Sequence, residues 1–282
     1  MSISIRPLAD PDLEAADTIV KLAFRSTGSR RNDLQLYRKI QPDGWFLATQ
    51  QDHPVGMVGA TKYGAFAHVG LMAVHPDVQR QGVGFALMQF ILARLEQQHV
   101  PLVTLDASEM GRPLYDKLGF VPYDETLMFQ RHGNSTRLDR PANVQSISRR
   151  DLDELALWDC TIFGANRYKV LQVLLAYFPE RAFMLRDETG QAAGYLFAQR
   201  NRIGPWVMRP SQNAEVLLQA ALTLPYEETV SLAVPAMNRE VIALLLRHGF
   251  EQVRANCHMG RGQGEPPGQR EQIYAQASLA IG

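Results

Sequence analysis

The chain has 282 residues, 46% hydrophobic and 21% charged, and its 29 basic residues balance 29 acidic ones. This composition indicates a globular protein of one large domain or two ordinary ones. The balanced charge argues against a nucleic-acid partner, because such proteins usually carry a basic excess. No apolar run approaches the roughly 18 residues of a membrane span, and the acidic start lacks a signal-peptide core. We therefore expect a cytoplasmic protein with no membrane partner.

Two cysteines, Cys160 and Cys257, lie far apart in the sequence. This spacing contains neither a CxxC motif nor a metal knuckle. We expect both to be buried structural thiols in a reducing compartment, and we predict no metal site.

Strands and helices alternate through the first half. Hydrophobic periodicity predicts, in order, a strand over residues 2–6, helices over 13–24 and 32–40, strands over 45–49, 54–63 and 68–75, a helix over 82–98, a strand over 100–107, a helix over 111–118, and strands over 120–123 and 126–131. Gly119 is a natural end for the helix before it, since glycine tolerates the left-handed conformation of a C-cap.

A polar segment with Gly and Pro, HGNSTRLDRPAN, follows, and the order of elements then restarts. We place an N-terminal domain at 1–133, a linker at 134–143 and a C-terminal domain at 144–282. For the second half the pattern predicts strands over 144–147, 182–186, 192–199, 206–208, 230–234, 250–259 and 273–281, with helices over 150–163, 167–178, 213–224 and 238–248. Residues 108–120 align with 238–250, which indicates an internal duplication.

The segment most informative about function runs from Gly70 to Leu95, where a strand ends, two glycines follow and a long helix begins. A helix start presents unpaired amides and a partial positive charge. Gly82 and Gly84 leave that main chain accessible to a phosphate, and Arg80 can add charge. The full GxGxxG of a dinucleotide fold and the GK[ST] of a Walker loop are both missing. We interpret the segment as a pyrophosphate cradle.

This stretch resembles motif A of the GNAT superfamily of N-acetyltransferases, Q/R-x-x-G-x-G/A, with Gln79, Gly82 and Gly84 at its positions. The preceding Ala73-Val74-His75-Pro76 resembles the end of the family's fourth strand. Motif B is matched by Ser108, Gly111, Tyr115, Gly119 and Phe120, although Ser108 replaces the usual Asn and Gly111 the usual Ala. The resemblance spans about residues 3–131, and the second half resembles a degenerate domain of the same kind.

The resemblance implies an α/β (α+β) fold of two GNAT-like domains, each with a mostly antiparallel sheet flanked by helices. It also implies acetyl-CoA as the cofactor, held in a gap between the fourth and fifth strands. The residues that would bind it are Met72, Ala73 and Val74 along the pantetheine arm, Ser108 near the thioester, and Gln79, Arg80, Gln81, Gly82, Val83, Gly84 and Phe85 around the pyrophosphate.

The family chemistry is direct attack of a neutral amine on the thioester, which needs a proton acceptor for the amine and a proton donor for the thiolate. The resemblance places Tyr115 as the general acid. His68, at the start of the fourth strand, is our candidate base, because histidine titrates in the right range. Asp106, Glu109 and a chain of waters stay open as alternatives.

The second half lacks the Q-x-x-G-x-G motif, and Glu215 would oppose a phosphate at its helix start. We therefore expect it to shape an acceptor pocket rather than bind CoA. Candidate residues for an interdomain cleft are Trp158, Tyr168, Arg202, Trp206 and Arg209. The expected function is acetyl transfer to a primary amine of a small molecule. A non-catalytic acyl-CoA sensor and a protein lysine or N-terminal acetyltransferase are the alternatives, and a homodimer is left open.

Overall fold

The computed structural model describes residues 3–132, 139–210, 212–227 and 229–282, so the first part of the predicted linker lies outside the described residues. The helices are α1 Leu13–Phe24, α2 Arg31–Ile40, α3 Val83–Gln97, α4 Arg112–Lys117, α5 Leu152–Phe163, α6 Tyr168–Tyr177, α7 Ala214–Leu222 and α8 Arg239–Arg247. The strands are β1 Ser4–Pro7, β2 Trp45–Gln50, β3 His53–Lys62, β4 Ala67–Val74, β5 Leu102–Ala107, β6 Val121–His132, β7 Gln145–Ser146, β8 Ala182–Arg186, β9 Ala192–Ala198, β10 Ile203–Met208, β11 Thr229–Pro235, β12 Glu251–Gly262 and β13 Ile273–Ala275. The fold is thus the mixed α/β type that the sequence predicts.

The N-terminal half, residues 3–132, builds one side of an eight-stranded sheet. Strands β1 to β4 pair antiparallel in chain order, and β5 joins β4 in parallel. Alternate residues of β2 point to opposite faces. Trp45 and Leu47 pack in the core that includes α1 and α2, whereas Phe46 and Ala48 pack with α3. The sheet therefore has α1 and α2 on one face and α3 on the other.

The C-terminal half, residues 139–282, repeats this arrangement in a five-stranded sheet of order β13-β10-β9-β8-β7. Helices α5 and α6 pack in the same core as α1 and α2. Helices α7 and α8 cover the opposite face in a core of their own. One apolar core consequently joins the two halves through the α1, α2, α5 and α6 layer.

The two halves also exchange strands. The central sheet ends in the order β5-β12-β6-β11, so β12 of the C-terminal half lies between two strands of the N-terminal half. Strand β6 in turn lies between β12 and β11. Strands β11 and β12 are the second-half counterparts of β5 and β6. When each strand is replaced by its counterpart, the same order is obtained, read from the opposite end. The halves are therefore related by an approximate two-fold axis between β6 and β12.

Three predicted strands are wrong in extent. The strands expected over 120–123 and 126–131 form one strand, Val121–His132. The Pro122 and Asp124 region looks like a turn in sequence, but β12 pairs along it through a register shift between His258 and Met259. The strand expected over 273–281 stops at Ala275, and residues 276–282 continue as buried chain without strand pairing.

Among the residues that the structure describes, no helix combines the length and the apolar character that crossing a bilayer would need.

The strand exchange predicts that neither half folds alone. A fragment of residues 1–143 would leave β5 and β6 with unpaired edges where β12 belongs, and such edges promote aggregation. We expect this fragment to be insoluble or to lack cooperative unfolding. Co-expression with residues 144–282 should restore a soluble 1:1 complex, as checked by size-exclusion chromatography and circular dichroism. A monomeric, cooperatively unfolding 1–143 fragment would contradict this expectation.

Candidate active site

Strands β4 and β5 separate along their length. They pair in parallel only at Ala67–Val103, His68–Thr104 and Val69–Leu105. Just beyond, β4 carries a bulge against β3, and Leu71 adopts a positive φ of 49° there. Because the paired region ends at Val69, the main chain of residues 72–74 faces a gap rather than a neighbouring strand.

A tight turn leads from the end of β4 to the start of α3. The Gln79 side chain donates to the Val74 carbonyl at 3.1 Å and so ties the turn to the strand. Gly82 caps the helix with a φ of 89°, a left-handed conformation that favours glycine. The first backbone hydrogen bond of α3 joins the Ala86 amide to the Gly82 carbonyl at 2.9 Å. The three amides before it have no partner within the helix.

The surface around these amides is open. Arg80, Gln81, Gly82 and Phe85 are exposed, whereas the Val83 side chain is buried in the core below and leaves its amide alone at the surface. The structure thus brings the seven residues predicted for a pyrophosphate into one turn. The side-chain amide of Gln79 donates to the Val74 carbonyl, so this donor is occupied at the end of the strand.

Helix α4 follows β5 and lies beside the start of α3, where Leu114 would be 3.5 Å from a side-chain carbon added to Gly84. Its start is fixed by Ser108, whose hydroxyl accepts from the Gly111 amide at 3.2 Å. The Tyr115 ring is buried and packs edge-on against Phe120 with centroids 5.9 Å apart. Burial raises the pKa of Tyr115 to about 12, so its phenol is protonated at neutral pH. A protonated phenol at this place can donate a proton.

His68 lies on the other face of the sheet. Val103, Leu105 and Ala107 of β5 pack on the Tyr115 side. Side chains alternate between the two faces of a strand, so Thr104 and Asp106 point to the opposite face. His68 is the register partner of Thr104 on β4 and shares that face. The ring of His68 is buried, with Nδ1 3.1 Å from Thr104 Oγ1 and Nε2 3.2 Å from the Leu279 carbonyl. A carbonyl only accepts, so Nε2–H donates and Nδ1 accepts from the threonine. Burial lowers the pKa of His68 to about 4, so the ring is neutral.

Beside His68 lies a buried carboxylate that bridges three strands. Asp106 Oδ1 accepts from Thr126 at 2.6 Å and is 2.9 Å from His258 Nδ1. Burial by itself raises the pKa of Asp106. The groups around it, the adjacent His258 foremost, have the opposite and together larger effect, so the pKa lies well below the usual range. Asp106 Oδ2 has no hydrogen-bond partner among the described residues. The carboxylate is therefore ionised and has acceptor capacity left over.

His68, Thr104 and His258 form one wall of a recess between the halves. The N-terminal half contributes Phe66, His68 and Thr104 to its lining, and the remaining lining residues are Phe163, Arg167, His258, Pro267, Arg270, Ile273, Gln276 and Gly282. Arg270 is anchored by a 2.8 Å hydrogen bond to Asp124 and a 3.1 Å bond to Thr126. The recess thus combines apolar rings with several hydrogen-bonding groups.

The cleft residues predicted from sequence do not line this recess. Trp206 lies in the core of the C-terminal half because its strand is buried on both faces. Arg202 does reach the N-terminal half, 3.6 Å from Asp33. Arg209 stacks over Trp158 at 5.5 Å, within the C-terminal half. The expected set Trp158, Tyr168, Arg202, Trp206 and Arg209 is therefore wrong as a description of the recess.

The recess residues that sequence reasoning missed come mostly from the C-terminal half. Arg167 is fully buried and held by Asp159 at 2.6 Å and by the Tyr195 hydroxyl at 2.8 Å. His258 is on the exchanged strand. Local sequence shows only a histidine in a predicted strand and an arginine at the start of a predicted helix. His258 is placed by the pairing of β12 with β5, and Arg167 by its contacts with Asp159 and Tyr195.

The equivalent gap in the C-terminal half is filled by the protein itself. Strands β10 and β11 meet only at the parallel bridge Arg202–Ser231. Beyond it β13 pairs with β10, and the Gln276 amide donates to the Ala233 carbonyl of β11 at 2.8 Å. The start of α7 is capped by Asn213, which accepts from the Glu215 amide at 3.1 Å. No open cradle exists in this part of the described structure.

The chain then continues from this filled gap onto the N-terminal half. Ala280 lies so close to Gly70 that a side-chain carbon on Gly70 would come within 2.3 Å of its carbonyl. The Tyr37 hydroxyl is 3.0 Å from the Ser278 hydroxyl, and the Tyr63 hydroxyl donates to the Ile281 carbonyl. Residues 276–282, which we call the closing segment, thereby cover β4 immediately before its bulge.

Comparison with known proteins agrees with this geometry. Residues 17–133 match a family described as "Acetyltransferase (GNAT) domain", and residues 156–275 match a second family of the same description. These two matches, together with a sheet whose fourth and fifth strands separate, identify an acyl-CoA N-acyltransferase. The chain belongs to the GNAT superfamily as a tandem-domain N-acetyltransferase.

Several relatives resemble the whole chain. The holothin acyltransferase of Pseudoalteromonas sp. (strain SANK 73390) is 27% identical over 256 residues, which cover 89% of this chain and 85% of that protein. YitH of Bacillus subtilis (strain 168), named as an uncharacterized N-acetyltransferase, is 23% identical over 81% of each chain. A Pyrococcus horikoshii structure named as an acetyltransferase superposes with a TM-score of 0.87 at 26% identity, over 99% of this chain and 96% of that one.

The buried neutral state of His68 makes a pH-dependent contribution to stability. An unfolded histidine gains a proton near pH 6.5, whereas the folded ring stays neutral down to about pH 4. Unfolding therefore takes up a proton in this window, so His68 lowers the free energy of unfolding as the pH falls from 6.5 to 4. We expect His68→Gln to flatten that pH dependence, as measured by urea unfolding at several pH values. The control is His53→Gln, at an exposed site, which should keep the wild-type slope; an unchanged slope in His68→Gln would contradict the assignment.

Proposed function

We propose that this protein transfers an acetyl group from acetyl-CoA to a primary amine of a small molecule. The observation that carries the proposal is the gap between β4 and β5, which opens at the level of the recess between the halves. On one face of the sheet the gap meets α3 and α4. On the other face it meets the polar wall of the recess. The two reactants can therefore approach the same point from opposite faces.

For the cofactor, the residues present fit the expected group. The amides of Val83, Gly84 and Phe85 and the positive end of α3 suit a pyrophosphate. The main chain of residues 72–74 suits an amide-bearing arm, because its edge towards β5 has donors and acceptors without a paired strand. Arg80 and Gln81 flank the cradle, and Ser108 directly follows the end of β5. Acetyl-CoA supplies the acetyl thioester when it is bound.

The same geometry supports different roles for the two domains. We propose that residues 1–133 hold the cofactor and that 144–282, joined by the linker 134–143, shape the acceptor site. The C-terminal half supplies Phe163, Arg167, His258 and Arg270 to the recess. Its own gap holds β13, so we expect a single acetyl-CoA per chain.

A small acceptor is favoured over a protein substrate because the recess is covered. Residues 267–282 of the C-terminal half pass over it and the closing segment is hydrogen-bonded to Tyr37 and His68. A lysine side chain on a folded protein would need an open groove here. Tyr115, as a protonated phenol on the cofactor face, is proposed to donate a proton to the departing thiolate. In this proposal His68, with both ring nitrogens hydrogen-bonded, serves as a wall of the recess.

The proposal is tested by following free thiol release from acetyl-CoA with amino acids, polyamines, aminoglycosides and peptides as acceptors. Release with a small amine, and an acetylated product of the expected mass, would support it. Turnover with peptides only would favour a protein acetyltransferase instead. Tight acetyl-CoA binding without turnover on any acceptor would favour the sensor alternative and overturn the proposed activity.

Gly82→Glu should abolish acetyl-CoA binding, because the new carboxylate would face the pyrophosphate. Like-charge contacts cost several kcal/mol, so we expect affinity to fall by about 100-fold or more in calorimetry. Gly190→Glu is a matched control. Both glycines have a positive φ, 89° and 82°, and no atom within 4 Å of an added side-chain carbon. The control should share the backbone strain and bind acetyl-CoA normally; equal affinity in both variants would contradict the cradle.

Tyr115→Phe should lower kcat by about 100-fold, the low end for loss of a general acid. Acetyl-CoA affinity should stay unchanged, because the ring and its contact with Phe120 are retained. Steady-state kinetics and calorimetry on the same preparation would separate the two effects. Wild-type kcat in the variant would remove Tyr115 from the chemistry.

A further inference from the structure

We propose that His258, delivered by the exchanged strand β12 and oriented by Asp106, is the catalytic residue that accepts the proton of the acceptor amine. This inference rests on the proposed acetyl transfer and names the base for it. It makes the active site composite, since the two members of the pair come from different halves of the chain.

The pair has the geometry of an oriented base. His258 and Asp106 are direct partners in the β5–β12 register. His258 Nδ1 is 2.9 Å from Asp106 Oδ1, and an ionised carboxylate only accepts, so Nδ1 carries the proton. Nε2 is then left with a free lone pair. No described residue hydrogen-bonds to it, and it is not among the solvent-inaccessible atoms without a partner.

The location of the pair matches the reacting point. Asp106 is the first residue of β5 after Leu105, the last one paired with β4, so it stands where the gap opens. His258 lines the recess at the same level. The imidazole therefore lies on the acceptor face, across the sheet from Tyr115. An amine entering through the recess passes His258 before it reaches the gap.

The charges around His258 suit the transient imidazolium. Asp106, on β5, supplies an adjacent negative charge. Asp124, on β6, is the register partner of His258. Its carboxylate pairs with Arg270 at 2.8 Å and so offsets the positive charge of that arginine. His68, on β4, lies with its ring centroid 6.4 Å away and is neutral. Arg167 also lines the recess, and Asp159 neutralises it at 2.6 Å.

The proton balance closes with these groups. The N–H bond of the ammonium breaks and its proton forms a bond to His258 Nε2, which frees the nitrogen lone pair. The C–N bond forms and the C–S bond breaks, with the electron pair leaving on sulfur. The sulfur gains a proton from Tyr115, which recovers one from solvent. As the amide forms, the nitrogen loses its second proton to solvent, and His258 releases its own to solvent. Because Tyr115 takes one proton back, one proton is released net.

The test is the pH dependence of kcat/KM in three variants. His258→Gln should lower kcat by about 10²- to 10⁴-fold, the range for loss of general-base catalysis. It should also lose the acid limb of the profile, with acetyl-CoA affinity unchanged within about 3-fold. Asp106→Asn should lower kcat and move the acid limb to lower pH, because the imidazolium loses its adjacent negative charge.

His248→Gln is the matched control, since His248 forms another histidine–carboxylate pair, 2.7 Å from Glu215 and outside the recess. It should leave rate and profile unchanged. A His258→Gln enzyme that keeps the wild-type acid limb, or a kcat within a few-fold of wild type, would overturn the pair. Wild-type enzyme inactive with every amine would instead overturn the proposed function itself, so the two failures are distinguishable.

Discussion

The interleaving of β12 and β6 is the constraint on which the rest of the structure depends. Each half supplies to the other a strand that is flanked on both sides, so the central sheet is continuous across both units. It is this pairing that sets His258 opposite Asp106 and brings Arg270 to Asp124. The recess exists because the halves are held in one register by main-chain hydrogen bonds rather than by side-chain contacts alone.

Much of the fold was accessible from sequence because local signals specify local structure. Helix α3 begins one residue after the predicted start and ends one residue before the predicted end. The Gly82 turn, the strand before it and the short helix with Tyr115 were also found, since periodicity and glycine chemistry act over a few residues. The extended strand β6 was misread because Pro122 and Asp124 imitate a turn, whereas its partner strand lies more than a hundred residues away.

The candidate site divides in the same way. Its proposed cofactor side is one contiguous segment with a recognisable pattern, so the sequence alone is enough to predict it. Its acceptor side is assembled from β4, β5, β12 and the chain around Arg270, and no single segment reveals it. The buried Asp106 was noted only as one of several alternatives, because its partners Thr126 and His258 are distant in sequence. Burial, which sets the protonation of His68 and Asp106, is likewise a property of the assembled fold.

The approximate two-fold order β5-β12-β6-β11 has a historical consequence. The same arrangement would result if two identical subunits exchanged strands across a two-fold axis and were then joined into one polypeptide. In such a dimer every substitution is imposed on both centres at once. Covalent fusion removes that obligation, so one gap can stay open while its counterpart is filled by β13. The difference between the open gap and the filled gap is one that a single chain permits and a symmetric dimer does not.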